Sequence, residues 1–423
     1  MVPSLPEPPI TTRSIEAVEA IHRFGGELLS HGCRCDAIFA AVAADPDCAL
    51  AQAYAAAIFL FRMTREGQVQ ATPRLRIAEA LAADASPREQ RIVAAIARWG
   101  AGDVHAAARL LDEVVAEWPH DLVSAKMCQI LQLDIGDFAA MRRTAARAVA
   151  AEPDSGYALG LFAFALEQTG DADRAEALGR RAIERNPLMD PWAQHAVAHV
   201  HAAREEWAEG RAFLRGHAPS WDRCSSFMLT HNWWHAALFS LRLGDPAGAL
   251  RLFDERVWGV RKDHCQDQAN AISLLARLEL RGVDAGTRWA DVAVHVARHI
   301  EGRVSGFMDL HYLLALVRAG EDEAADRLAL ELAGRARTDP LDSVAVLARG
   351  ILAHARRDWR TAAEAFGQAR GRLIDIGGSN VQRELFEELL FDSLSHMRDE
   401  RPLTRSRSRA LAERSVMSVL AYA

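Results

Sequence analysis

The chain has no run approaching eighteen consecutive uncharged apolar residues, which excludes a membrane-spanning helix of ordinary length. Its start, MVPSLPEPPITTR, has neither the basic nor the apolar segment of a secretory signal. Four prolines in the first nine residues predict an extended lead-in over residues 1–13. The six cysteines (Cys33, Cys35, Cys48, Cys128, Cys224, Cys265) form no Cys-x-x-Cys, and Cys33 and Cys35 stand too close for a paired-thiolate zinc knuckle. They read as reduced thiols of a cytoplasmic protein. Also missing are HExxH, a Walker phosphate loop, GxGxxG after a strand, GxSxG and an EF-hand loop, so no familiar signature assigns a reaction. Basic charge is not in excess: 50 Lys and Arg against 57 Asp and Glu give a net charge of −7, spread along the chain, which argues against a nucleic-acid partner. The basic run from Arg401 to Arg414 reads as a solvated helix end.

Aromatic residues make up only 7%, and Val, Ile, Thr and Tyr never gather into alternating runs. What remains is rich in Ala, Leu, Arg and Glu, a helical composition, and half of the 423 residues are apolar, enough for a large core. Pro119, Pro153 and Pro187 are spaced by thirty-four residues, as are Gly102, Gly136 and Gly170, each followed by Asp103, Asp137 or Asp171. That period is the one of the tetratricopeptide repeat, a helix-turn-helix. Within Asp154 to Pro187, apolar residues recur at helical spacing on either side of Gly170-Asp171, so each hairpin leaves a face that only its neighbour can cover.

Further turns are predicted at Glu205-Glu206, Gly244-Asp245, Gly320-Glu321 and Arg357-Asp358, and a helix start at Ser86-Pro87 with Ser86 as N-cap. The expected fold is all-α, a right-handed helix-turn-helix solenoid of about ten to twelve hairpins curled around a central pocket. Its expected divisions are the lead-in 1–13, N-terminal helices with weak repeats over 14–87, regular repeats over 88–400 with a His- and Trp-rich centre at 190–312, and a basic tail over 401–423.

Trp (10) outnumbers Tyr (4), and His reaches 16. Ten of those His lie between His195 and His311, and six of the ten Trp between Trp192 and Trp258. Three pairs of His stand at i and i+4 (195/199, 231/235, 295/299), against ~0.6 expected by chance placement. On a helix such a pair puts two imidazoles one turn apart on one face, able to share a metal or an anion. In the repeat register, His195 and His199 fall on one first helix and His231 and His235 on the next, so four imidazoles are expected to converge on the inner surface. Asp267, Asp309 and His311 would be supplied by the following helices as carboxylate or second-layer partners.

The runs His195-Ala-Val-Ala-His199-Val, His231-Asn-Trp-Trp-His235, Asp309-Leu-His311 and Gly377-Gly378-Ser379-Asn380-Val-Gln382-Arg383 together resemble the tetratricopeptide-repeat protein 38 family over roughly residues 150–390. The resemblance implies an all-helical repeat protein and a retained set comprising His195, His199, His231, Asn232, His235, Asp309, His311, Ser379, Gln382 and Arg383. It carries no settled activity with it.

Two functions follow. In the first, the concave surface holds a small polar ligand or a divalent metal: His195, His199, His231 and His235 as metal ligands, and His231, His235, Asp309 and His311 as acid–base groups if there is catalysis. Trp192, Asn232, Trp234, Ser379, Gln382 and Arg383 would then contact the ligand, with Arg383 pairing an anionic group. In the alternative, the solenoid is a scaffold for a peptide or partner helix without catalysis. Histidines and carboxylates alone do not specify a reaction type.

Overall fold

A computed structural model of the protein describes residues 9–186, 190–300, 305–337 and 339–399. Pro187, most of the lead-in and the basic tail lie outside the described residues. Among those described there is no β-strand, only an isolated bridge between Gly32 and Cys224, and no helix is long and apolar enough to cross a membrane.

The helices pair off in chain order into ten hairpins and a last single helix. They are α1 (Ile15–Leu29) with α2 (Ile38–Ala44), α3 (Ala49–Leu60) with α4 (Arg65–Leu81), α5 (Pro87–Gly100) with α6 (Val104–Glu117), α7 (Leu122–Asp134) with α8 (Phe138–Ala151), and α9 (Gly156–Gln168) with α10 (Ala172–Arg185). Then come α11 (Pro191–Ala203) with α12 (Trp207–His217), α13 (Ser226–Arg242) with α14 (Pro246–Leu252), α15 (Cys265–Glu279) with α16 (Arg288–Val296), α17 (Gly306–Ala319) with α18 (Asp322–Ala333), α19 (Ser343–Ala355) with α20 (Trp359–Ala369), and finally α21 (Asn380–Asp399).

The predicted turns are the observed ones, for a local reason. Gly102, Gly136, Gly170, Gly244 and Gly320 take φ between +72° and +84°, the left-handed conformation that ends a first helix. The next residue starts the second helix: Asp103 and Asp137 accept the N–H of Ala106 and Ala140 at 3.0 and 2.9 Å. Glu205 and Arg357 adopt the same left-handed geometry without glycine, at φ 57° and 59°. Ser86 caps α5, with Glu89 completing a reciprocal capping box.

First helices in the middle of the chain are buried nearly all round, whereas their second helices are amphipathic. α9 and α11 bury almost every residue, while α10 buries only Ala175, Gly179 and Ala182. A helix apolar on every side belongs inside a stack, so the first helices form the inner layer.

The stack curls until distant segments touch across its inner face. The Ser225 N–H donates to the His31 carbonyl at 2.7 Å, and the His31 ring stacks on Trp192. Ser305 Oγ donates to Asp134 Oδ1 at 3.1 Å, and the Asn380 N–H donates to Gln168 Oε1 at 2.9 Å. Gly377 passes so close to α7 that a Cβ there would collide with the Asp134 carbonyl, and its φ of 77° also demands glycine. The i, i+4 expectation fails at one of the three pairs: α16 ends at Val296, so His295 and His299 do not share a helix.

Candidate metal centre

α11 and α13 are adjacent first helices, and each presents a pair of imidazoles one turn apart. His195, His199, His231 and His235 are all buried, and one ligating atom of each lies within 4.8 Å of the others. His195 is the hub, with its ring 4.5 Å from His199, 4.8 Å from His231 and 5.0 Å from His235. Its Nε2 lies 3.0 Å from the Nε2 of both His199 and His231.

Outer partners decide which ring nitrogens carry protons. The Thr230 hydroxyl donates to Asp267 Oδ1 at 3.0 Å, and the Asn270 amide donates to Thr230 Oγ1 at 3.3 Å. This orients Asn270 so that its Oδ1 faces His231 Nδ1 at 2.8 Å; Nδ1 must donate, which leaves a lone pair on Nε2. His199 Nδ1 faces the buried Glu167 carboxylate at 3.3 Å, and the amide of Gln168, 3.4 Å from the same Nδ1, donates to that carboxylate as well. His199 turns an Nε2 lone pair inward in the tautomer whose Nδ1–H points at Glu167, and an Nε2–H in the one whose Nδ1 accepts from the Gln168 amide.

His195 Nε2 stands 3.0 Å from both Nε2 atoms, and with one in-plane hydrogen or lone pair it can satisfy only one of the two contacts. Protonating the hub is no remedy, because burial, reinforced by His199, His231 and His235, holds the His195 pKa well below the ordinary imidazole value. Burial likewise pushes His231 down to about 3 and His235 well down. Burial thus keeps His195, His231 and His235 neutral, and with His199 they bring four imidazole nitrogens together, the donor set a borderline transition ion takes. Tetrahedral zinc with Zn–N of about 2.0–2.1 Å separates its nitrogens by about 3.3–3.4 Å; two spacings here are 3.0 Å and all fall within 4.8 Å. An all-nitrogen set is the wrong chemistry for calcium or magnesium, which take oxygen.

Aromatic rings wall much of this centre. Phe164 lies 5.3 and 5.4 Å from His195 and His199, and Trp192 lies 4.8 Å from His195. Trp234 stacks on His231 at 5.1 Å with 14° between planes. His235 borders a cavity of about 20 Å3, room for one water, shared with Arg277, Glu384 and Glu388.

The remaining sequence-predicted residues are distributed as follows. Asn232 is fully buried, and neither of its amide atoms has a hydrogen-bond partner; the indole N–H groups of Trp192 and Trp234 are likewise unpartnered. Asp309 and His311, on α17, are not among the converging ligand atoms, and His311 Nδ1 bonds the Phe307 carbonyl one turn back at 2.8 Å. Ser379 and Gln382 build the cap of α21: Ser379 N–H donates to Gln382 Oε1 at 2.8 Å and Gln382 N–H to Ser379 Oγ at 3.3 Å. Arg383 bonds the Gly378 carbonyl and Asn380 and covers the Phe138 ring at 4.9 Å.

Sequence reasoning named Asp267 but missed Glu167, Gln168 and Asn270, which act across the fold and carry no periodic signal. It missed the link from Asn380 to Gln168, which seats the late glycine-rich motif directly behind His199.

No family model matches the chain. Among solved structures it is similar to a peptide-binding tetratricopeptide protein, YrrB, at 13% identity, covering 56% of this chain and 95% of that one with a TM-score of 0.27. It is also similar to the P58(IPK) tetratricopeptide domain at 15% identity, covering 92% and 99% with a TM-score of 0.22. The human IFIT1 dimer with m7Gppp-AAAA matches at 14% identity over 79% of each chain, with a TM-score of 0.43. These overlaps are low, and the repeat architecture stands on the hairpins and turns of the chain itself.

Proposed function

We propose that this helical-repeat protein binds one divalent transition-metal ion, zinc foremost, through His195, His199, His231 and His235. The observation that carries the reading is the convergence of four buried imidazoles, with the His231 lone pair fixed by the Asn270–Thr230–Asp267 relay and aimed at His195 Nε2. Burying four imidazoles in an Ala-rich core is costly unless something pairs them, and a cation pairs all four at once. Two buried carboxyl groups, Glu167 and Asp267, stand in the outer layer behind His199 and His231. In the same reading the chain is a cytoplasmic relative of the tetratricopeptide-repeat protein 38 family, with its regular repeats over 88–400 and its centre at 190–312. Asn232, Trp192 and Trp234 are the groups that would meet a small polar ligand beside the ion, with Asp309 and His311 as the acid–base groups of any chemistry there; His231 and His235 could take that role only in place of ligation.

The test is metal analysis of the purified full-length protein, before and after incubation with zinc, nickel or cobalt. One ion per chain in the wild type, lost in a His231→Ala/His235→Ala variant of unchanged helicity, is the expected result. Absence of stoichiometric metal after loading would sink the proposal. The solenoid serves equally well as a peptide-capturing scaffold, and a partner retained by the double variant would favour that alternative.

A further inference from the structure

One ring away from the imidazole cluster lies a second set of buried polar atoms that the metal does not use. Lys126, on α7, is 1% exposed and is one of only two lysines in a chain with 50 basic residues. Its Nζ has no hydrogen-bond partner and sits 3.7 Å from the centroid of the Trp192 ring. Asp190, the carboxylate whose charge reaches it, is spent elsewhere: Oδ1 accepts the Ala193 N–H at 2.9 Å and Oδ2 accepts the Asn186 amide at 3.0 Å. Burial accordingly draws the Lys126 ammonium down to about 7.

Two further unpartnered atoms belong to the same group. The Trp192 Nε1–H is buried without an acceptor, and His31, stacked on that indole at 5.1 Å with 23° between planes, has a buried Nε2 with no partner. His31 is held at φ 52°, a conformation unfavourable for a residue with a Cβ, by the bond from the Ser225 N–H to its carbonyl. His31 is half-buried as a residue, and Cys33, two residues on, is exposed.

An aromatic face offsets only part of the cost of burying an ammonium. Buried polar atoms in folded proteins are satisfied in roughly 90% of cases or more, so three orphans on touching side chains mark a missing partner. Two of the three, the ammonium and the indole N–H, can only donate, so what is missing is an acceptor, and beside a cation a negatively charged one.

We propose that Lys126, Trp192 and His31 form a subsite for the carboxylate group of a small ligand, with Lys126 Nζ and Trp192 Nε1 as its donors. The subsite stands independently of the metal, but Trp192 also touches His195, which places a bound carboxylate one side chain from the imidazole cluster.

The experiment is calorimetric titration of the full-length protein with sodium acetate, and separately with sodium phosphate, at constant ionic strength, alongside metal analysis. The wild type should bind acetate saturably at one site. Lys126→Met, which replaces the ammonium by an apolar chain of similar length, should bind it at least tenfold more weakly while keeping its metal content and melting no lower than the ligand-free wild type. Trp192→Phe keeps a ring but loses the N–H, and should weaken acetate several-fold. Acetate binding that is absent in the wild type or equal in Lys126→Met overturns the subsite, and preference for phosphate overturns its assignment to carboxylates. Loss of metal binding with acetate binding intact would instead sink the tetrad reading and leave this one standing.

Discussion

Replacing Asn270 by leucine isolates the outer layer from the imidazoles it orients. The side chain is of similar size and the site is buried, so the packing change is small, but His231 Nδ1 loses its acceptor at 2.8 Å and Thr230 loses its donor at 3.3 Å. His231 is then free to place its proton on Nε2, the atom aimed at the hub, and a proton there must be removed before a metal can bind. Loss of such outer partners typically weakens metal binding 10–100-fold, about 1.4–2.7 kcal/mol. The assay is cobalt titration followed by ligand-field absorption, with a competing chelator to set the affinity scale and circular dichroism to confirm the helices. Asn270→Asp supplies the contrast, since it keeps an acceptor facing Nδ1 and should hold affinity within a few-fold of wild type. Wild-type affinity in Asn270→Leu, with the fold intact, would refute the claim that the relay sets the tautomer of His231.

Two other outcomes follow. In metal-free protein, His31, His195, His231, His235, His264 and His311 all have pKa values lowered by burial, so below about pH 6.5 the unfolded chain takes up protons that the folded chain refuses. Stability should therefore fall as pH drops from 6.5, by up to about 1.4 kcal/mol per pH unit for each such group until its folded pKa is reached, about 3 for His231. Asp134, Asp190 and Asp267, raised by burial to about 6, 6 and 7, act in the opposite sense but are outnumbered; urea midpoints that stay level or rise between pH 6.5 and 5 would contradict this. Gly377→Ala forces a Cβ against the Asp134 carbonyl at a left-handed φ and should cost more than about 1 kcal/mol in urea unfolding. An unchanged midpoint would show that this segment does not hold the curl closed.

The helix-turn-helix architecture was legible because its determinants are local. A left-handed glycine and a capping aspartate sit side by side in the sequence, and thirty-four residues later they recur. The imidazole pairs were legible for the same reason, i to i+4 being one turn, and the same rule misled at 295/299, where the helix stops one residue past the first imidazole. The outer layer was hidden because curvature, not periodicity, brings it in. Glu167 and Asn270 reach the centre from other hairpins, and His31 arrives from the first. The late glycine-rich motif was visible as a motif, but its Ser and Gln are engaged in capping α21. What it contributes to the centre is Asn380, which holds Gln168 behind His199.

The curl has a consequence for how the protein is made. Repeat arrays gain structure hairpin by hairpin as the chain emerges, so α11 and α13 can form once their own residues and a neighbour exist. Yet His199 is backed by Gln168, which is held by Asn380, and His231 depends on Asn270. The surroundings of the cluster are complete only once the chain has been made as far as Asn380. A fragment ending before residue 380 would own all four imidazoles and still lack the brace behind one of them, so the cluster is fully framed only when the late helix docks.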